Sequence, residues 1–319
     1  MNNNDPKPTE RTTQNSFDIV LACRKKDLGV LRLVLPRLRK FIHHQRCVVF
    51  TSILNLNLFR RSLGKEVVLV YEDTVIPGMR LQDLREKVSL PGIPAGAGWY
   101  FQQFLKLSYP RLYPRAERYL IWDADTVPLR PIDVFGSKGE SLLTVATMEA
   151  ASPPSGVNLD LETLEMLKKA TCPHEEYFSN FEHLLGEKTP SFTSFISQHM
   201  PIQVETLNQM TQKIENRFPG PESWCWKVIQ NLHGPGANLF SEYEFYAHYA
   251  LQHAPTRHRV RSLAWSRGGR LRGSAPQQEK QLENWSEALD FVAVEAWASP
   301  LRRKIFNLFH RLPESWRIR

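Results

Sequence analysis

Short apolar runs alternate with amphipathic stretches through the first half of the chain. FDIVLAC (17–23) is a compact apolar run and predicts a buried strand. Asp27 then stands where a helix N-cap would, and Leu31, Val34, Leu35, Leu38 and Ile42 recur at helical spacing. Pro36 falls inside that run, where a kink is expected. CVVFT (47–51) and EVVLVYED (66–73) predict a second and a third strand. MRLQDLREKV (79–88) predicts a short helix, and GAGWYFQQFLKLSY (96–109) a longer one after a Gly/Pro-rich loop. YLIWDADT (119–126) reads as a strand running into acids, and LLTVATM (142–148) as another strand. The alternation predicts an α/β fold with a mostly parallel central sheet flanked by helices. In such sheets ligands bind beyond the carboxyl ends of the strands. Arg24 to Asp27, Glu72 with Asp73, and Asp123 with Asp125 all fall at such ends.

The second half is less regular. Residues 149–158 read as a loop, and helical patterns follow at roughly 160–185 and 203–217. In SEYEFYAHYAL (241–251), Ser241 and Glu244 have the spacing of a capping box at a helix start. The polar stretch 266–281 predicts an exposed loop. Over 297–316, Trp297, Leu301, Ile305, Leu308, Phe309, Leu312 and Trp316 form one helical stripe flanked by Arg302, Arg303, Lys304 and Arg311. That composition suits a helix lying in an anionic membrane interface, or one docked on the body through the same apolar face. The first fifteen residues carry no apolar periodicity and predict a disordered tail. No internal repeat is visible.

Composition narrows this picture only in part. A hydrophobic content of 42% over 319 residues is enough for a sizeable core. No stretch reaches the roughly 18 apolar residues of a membrane span, and no secretory leader is visible. Of Cys23, Cys47, Cys172 and Cys225, none forms a CxxC pair, so a reduced cytosolic chain without a zinc site is expected. The net charge of +8 suits an anionic ligand or surface. The Lys and Arg residues are scattered and match no nucleic-acid motif, so nucleic acid is not an expected partner.

The stretch YLIWDADTVPLRP carries the sharpest chemistry. Carboxylates at i and i+2 on an extended chain point the same way, so Asp123 and Asp125 could reach one ion. Mg²⁺ and Mn²⁺ prefer oxygen ligands and often take one or two carboxylates, with substrate phosphates filling other positions. The plain alternative is a solvated turn after a strand.

Together, FDIVLACRKKD, GWYFQQFLKLSY, YLIWDADTVPLRP, SFISQHM and SEYEFYAHYAL resemble an uncharacterised bacterial family of GT-A-fold glycosyltransferases associated with polysaccharide or lipopolysaccharide synthesis. The resemblance covers roughly residues 17–255. It implies a glycosyltransferase domain over 16–255, with a nucleotide-binding half (16–148) and a mainly helical acceptor half (149–255). Residues 256–319 are then a C-terminal extension with the basic amphipathic helix. The implied reaction moves a sugar from a nucleotide-sugar donor, such as a UDP-sugar, to a glycan or lipid-linked acceptor, with Mn²⁺ or Mg²⁺. By the same resemblance Asp123 and Asp125 hold the ion, with His199 as a third ligand. Lys106 approaches the donor phosphates, Trp99, Gln102 and Gln103 line the site, and Asp27 and Asp73 contact the base or ribose. An acid at the start of the 241–251 helix would face the acceptor. Glu242 is the better candidate base, because capping already occupies Glu244. Each has a structural alternative: a helix cap for Asp27, a turn for Asp73, a surface lysine, core packing for Trp99, an unrelated buried histidine. The expected location is cytoplasmic, peripheral at the inner face of the plasma membrane. Two other readings stay open. One is a nucleotidyltransferase acting on a sugar phosphate, although ACRKKD stands where its Gly-rich loop would be. The other is a non-catalytic membrane-associated binding module.

Overall fold

The computed structural model describes residues 16–87, 93–146, 175–235, 238–267, 271–272 and 274–294. In chain order these form β1 (Asp18–Ala22), α1 (Leu28–Phe41), β2 (Cys47–Thr51), α2 (Ile53–Leu63), β3 (Val67–Tyr71), α3 (Leu81–Lys87), α4 (Ile93–Leu107), α5 (Tyr109–Leu112), β4 (Arg118–Trp122), β5 (Thr126–Pro128) and β6 (Ser141–Thr144). There follow α6 (Glu175–Leu185), β7 (His199–Gln203), α7 (Val204–Arg217), α8 (Trp224–Asn231), α9 (Glu242–His253), β8 (His258–Arg261), β9 (Trp265–Ser266), α10 (Ala275–Ser286) and β10 (Phe291–Ala293).

The expected α/β architecture is present. A five-stranded sheet runs β3-β2-β1-β4-β7. Its first four strands are parallel, and β7 closes the edge antiparallel to β4. The chain leaves β1 toward β2 and β3 and then returns to β4 on the other side. The strand order therefore reverses between β1 and β4, and the crevice of such a sheet opens beyond their carboxyl ends.

Period-two alternation divides the sheet's side chains between two cores. Val20, Val48, Phe50, Tyr119 and Ile121 pack with α3, α4 and α9 on one face. Ile19, Leu21, Val49, Leu120 and Trp122 pack with α1 and α10 on the other. Because both faces are covered, β1, β2 and β4 read as continuous apolar runs rather than alternating ones. The alternation also directs Asp123, next after Trp122, to the α4 and α9 side.

Several expectations need correction. The strand expected over 119–126 is two strands, β4 and β5, with both acids in the turn between them. The loop expected over 266–281 contains the start of α10, opened by a complete capping box at Ser274 and Gln277. Asp27 occupies the N-cap position of α1 but makes no side-chain cap bond, and the helix continues through Pro36. Strand β7 and helix α8 carry no signal in the expected pattern. The segment beyond residue 255 supplies β8 and β10, which pair with β6 and β5 of the first half. The expected tail, the 297–316 helix and the start of the 160–185 helix lie outside the described residues. Cys23, Cys47 and Cys225 are buried free thiols, and Cys172 lies outside the described residues. No helix among the described residues is long and apolar enough to cross a membrane.

Helix α2 was also missed, for an instructive reason. Its inward side is carried by Phe59, fully buried, with Leu63 beside it. Its outward side holds Ile53, Leu54 and Leu58, so apolar residues occupy both sides and no stripe emerges. Phe59→Ala should cost about 3–5 kcal/mol in urea unfolding. Leu54→Ala, which removes no buried contact, should stay within about 0.5 kcal/mol.

Candidate functional site

The acids sit in a tight turn, not on an extended strand. The Thr126 amide donates to the Asp123 carbonyl at 3.0 Å, closing residues 123–126. Three further bonds fix the turn. The Asp123 amide donates to the Gln198 carbonyl at 2.9 Å, the Val294 amide to the Asp125 carbonyl at 2.8 Å, and Trp122 Nε1 to the Thr126 carbonyl at 2.7 Å. The residue before β7, the residue after β10 and the indole of β4 thus hold the backbone of residues 123–126. Both acids are half-buried.

Lys106 enters from α4. Its side chain is 1% exposed, and its Nζ donates to Asp123 Oδ1 at 2.5 Å and to Glu242 Oε1 at 2.9 Å. Burial alone would lower the lysine pKa. Asp123 and Glu242 more than offset this and hold the ammonium above its usual value. Burial raises the Glu242 pKa, Lys106 lowers it, and Asp123 raises it further; the net direction is up. The backbone beside Glu242 is fixed by Gln103, whose Oε1 accepts from the Glu242 amide at 2.9 Å and whose Nε2 donates to the Trp99 carbonyl at 3.3 Å. Lys106, expected at the donor phosphates, is instead an enclosed counter-charge. Gln103 is a buried brace between α4 and α9. Trp99 packs edge-on against Tyr100 at 4.9 Å, and Gln102 is half-buried on the same helix.

Three residues of the site were not anticipated. Gln198 has φ of +66°, uncommon for a residue other than glycine. With its amide nitrogen toward Asp123, it donates to Oδ2 at 3.1 Å, and its oxygen accepts from Arg267 Nε at 3.2 Å. Arg267 is exposed, so one amide separates a solvent-facing guanidinium from Asp123. Tyr243, beside Glu242, has a buried hydroxyl close to Asp123. Burial, then Asp123 and Glu242, hold that phenol protonated, and the Lys106 ammonium lies 5.3 Å from its ring centre. Gln198 falls within SFISQHM and Tyr243 within SEYEFYAHYAL, but neither the backbone angle of the one nor the burial of the other has a sequence signature.

The other two acid-bearing strand ends behave differently. Asp27 is half-buried, and burial raises its pKa against the lowering effect of Lys26 and Arg24. Burial, Asp27 and Asp125, in that order, raise the Cys23 thiol, which places both acids around the end of β1. Asp73 is occupied: it accepts from the Tyr71 hydroxyl at 2.7 Å and from the Leu81 amide, at the start of α3, at 3.2 Å. A side chain at Gly98 would collide with the Arg24 guanidinium, so Arg24 lies directly on α4.

Two expected members do not join the cluster. His199 is fully buried in β7, stacked on Trp122 at 5.1 Å on the opposite face from Lys106. Its Nδ1 contacts the Ser197 carbonyl at 3.0 Å and its Nε2 the Thr144 hydroxyl at 3.1 Å, so neither nitrogen is free for a metal. Burial, helped by Arg261, pushes its pKa down to about 3. Glu244 accepts from the Ser194 hydroxyl at 2.7 Å and the Phe195 amide at 2.9 Å. The expected capping box is therefore half-formed: Ser241 accepts from the Glu244 amide, but the carboxylate braces another loop.

The model of a family of unknown function, DUF6492, matches residues 14–271, four-fifths of the chain. The chain belongs to that family. No curated protein matches it in sequence. Among solved structures it is similar to the crystal structure of mouse xyloside xylosyltransferase 1 in its apo form. The identity is 11% and the TM-score 0.41, over 89% of this chain and 99% of that one. So distant a likeness carries no argument about chemistry, which rests on the geometry of this DUF6492 chain.

Lys106→Met leaves two carboxylates facing each other in a buried space. It should cost about 3–5 kcal/mol in urea unfolding, and adding Glu242→Leu should restore part of the loss. A Glu pKa raised on folding means stability falls as pH climbs from the unfolded toward the folded value. Without Lys106 that span widens, so the deficit should be larger at about pH 8 than at about pH 5. A loss under about 1 kcal/mol would contradict the network.

Proposed function

We propose that this chain is a metal-dependent glycosyltransferase that takes a nucleotide-sugar, such as a UDP-sugar, as donor and a glycan or lipid-linked acceptor. The observation that carries the reading is the Asp123-Ala124-Asp125 turn beyond β4, at the point where the strand order reverses, braced by Lys106 and Glu242. A sheet of this topology offers its ligand crevice at that point.

The donor set fits a hard divalent cation in part. Two half-exposed carboxylates in one turn suit Mn²⁺ or Mg²⁺, whereas the occupied His199 does not. Among the described residues no group of three Asp, Glu, His or Cys side chains is arranged for a metal. Asp123 and Asp125 would hold the ion, and diphosphate oxygens and water would complete its shell. When bound, the ion neutralises charge on the departing diphosphate.

The protein groups have separate tasks. Lys106 and Gln198 engage both oxygens of Asp123 and orient it. Arg267, exposed beside them, takes the phosphate-facing task that Lys106 is too deeply enclosed to perform. Asp27, uncapped at the end of β1, is the acid available to the nucleoside. Asp73 is committed to α3. Glu242, enclosed with the lysine it shares with Asp123, is the candidate base for an acceptor hydroxyl that reaches into that enclosure; Glu244 faces away and is structural. The breaking bond joins the sugar carbon to the diphosphate oxygen, which keeps the electron pair. The new bond joins that carbon to the acceptor oxygen, whose proton passes to Glu242.

Titration calorimetry with UDP tests the site. Heat of binding is expected with Mn²⁺ and not with chelator. Asp125→Ala should abolish the metal-dependent part, and Arg267→Ala should weaken it about tenfold, or 1.4 kcal/mol. Nucleotide binding that is absent, or indifferent to Asp125→Ala, would sink the proposal.

A further inference from the structure

Four large apolar side chains stand exposed among the described residues, and three share α2: Ile53 at 54%, Leu54 at 89% and Leu58 at 38%. Scattered exposed leucines are ordinary, but a grouped set on the outward side of one helix is not. Phe59 and Leu63 anchor α2 inward, so rotation cannot hide these residues without exposing the anchor. Arg60 and Arg61 lie one and two positions further along and are exposed.

The position of the patch matters. α2 begins two residues after β2 ends, so Ile53 and Leu54 stand at the carboxyl edge of the sheet. The neighbouring strand end is tied to the same edge, with Thr51 Oγ1 donating to the Cys23 carbonyl at 2.9 Å. Exposed Lys25 and Lys26 follow directly. The start of the apolar ridge and Lys25 and Lys26 therefore share the edge at which Asp27, Asp123 and Asp125 lie, while Leu58, Arg60 and Arg61 continue along α2 as it returns toward the start of β3. The whole chain carries +8, which favours an anionic partner.

We propose that α2 docks this protein on an anionic lipid surface, with Ile53, Leu54 and Leu58 entering the headgroup boundary and Lys25, Lys26, Arg60 and Arg61 pairing with lipid phosphates. Apolar insertion plus cation–phosphate attraction is the usual energetics of interfacial binding. A second protein would satisfy the leucines equally well; the cationic flank selects the lipid. Docked in this way, the carboxyl edge of the sheet faces the bilayer. The inference does not rest on the transferase reading, since lipid binding is measured without donor or acceptor.

The test is sedimentation of the full chain with vesicles of phosphatidylcholine alone and of phosphatidylcholine with phosphatidylglycerol in equal parts. The chain should sediment with the anionic vesicles and not the neutral ones, and about 0.5 M salt should release much of it. Leu54→Glu/Leu58→Glu should weaken sedimentation at least about tenfold with an unchanged melting temperature, because neither leucine is buried. Wild-type protein that stays in solution would overturn the proposal. So would a variant that sediments like wild type, meaning another part of the chain binds. A variant that turns a dimer into a monomer on gel filtration while still binding vesicles would assign the ridge to a second copy instead.

Discussion

A single ammonium group, sealed from water between two carboxylates, holds this site together. Lys106 brings three elements to one point: its own α4, the turn after β4, and the start of α9. Isolated, a buried lysine would surrender its proton. Here it keeps it, because Asp123 and Glu242 together outweigh the cost of desolvation. The arrangement is unbalanced by design, with one positive charge shared by two acids. Burial keeps the Glu242 pKa raised, and the Tyr243 phenol beside it stays protonated. A region with surplus negative charge at the mouth of a parallel sheet suits the capture of a cation, and through it a diphosphate.

The sheet was legible because burial on both faces leaves a strong trace. FDIVLAC and CVVFT had no other reading, and YLIW needed to be right only as far as Trp122. The acids were located correctly but given the wrong backbone. Extended alternation predicts parallel carboxylates at i and i+2, whereas the Thr126-to-Asp123 bond makes the segment a turn. Of Glu242 and Glu244, only Glu242 lies against Lys106 and Asp123. Glu244 is occupied by Ser194 and Phe195, contacts fifty residues away that spacing cannot reveal. His199 was a ligand only by family resemblance; the pairing of β7 with β4 turns it to the opposite face. Arg267 was hidden in a stretch that reads only as polar loop.

Helix α2 joins legibility to surface chemistry. The feature that erased its amphipathic signal, leucines on the outer side, is the one that marks it as unusual in the folded chain. The carboxyl edge of the sheet then carries two features near each other: the acidic turn of Asp123 and Asp125, and the apolar start of α2 with Lys25 and Lys26 on the next strand end.

The most direct measurement is product release from the purified full chain, supplied with Mn²⁺ and a panel of nucleotide-sugars in one arm and nucleoside triphosphates with sugar phosphates in the other. The account predicts free nucleoside diphosphate from at least one nucleotide-sugar, and none from Asp125→Ala. Pyrophosphate released from a triphosphate, or nucleoside diphosphate released equally by Asp125→Ala, would contradict it.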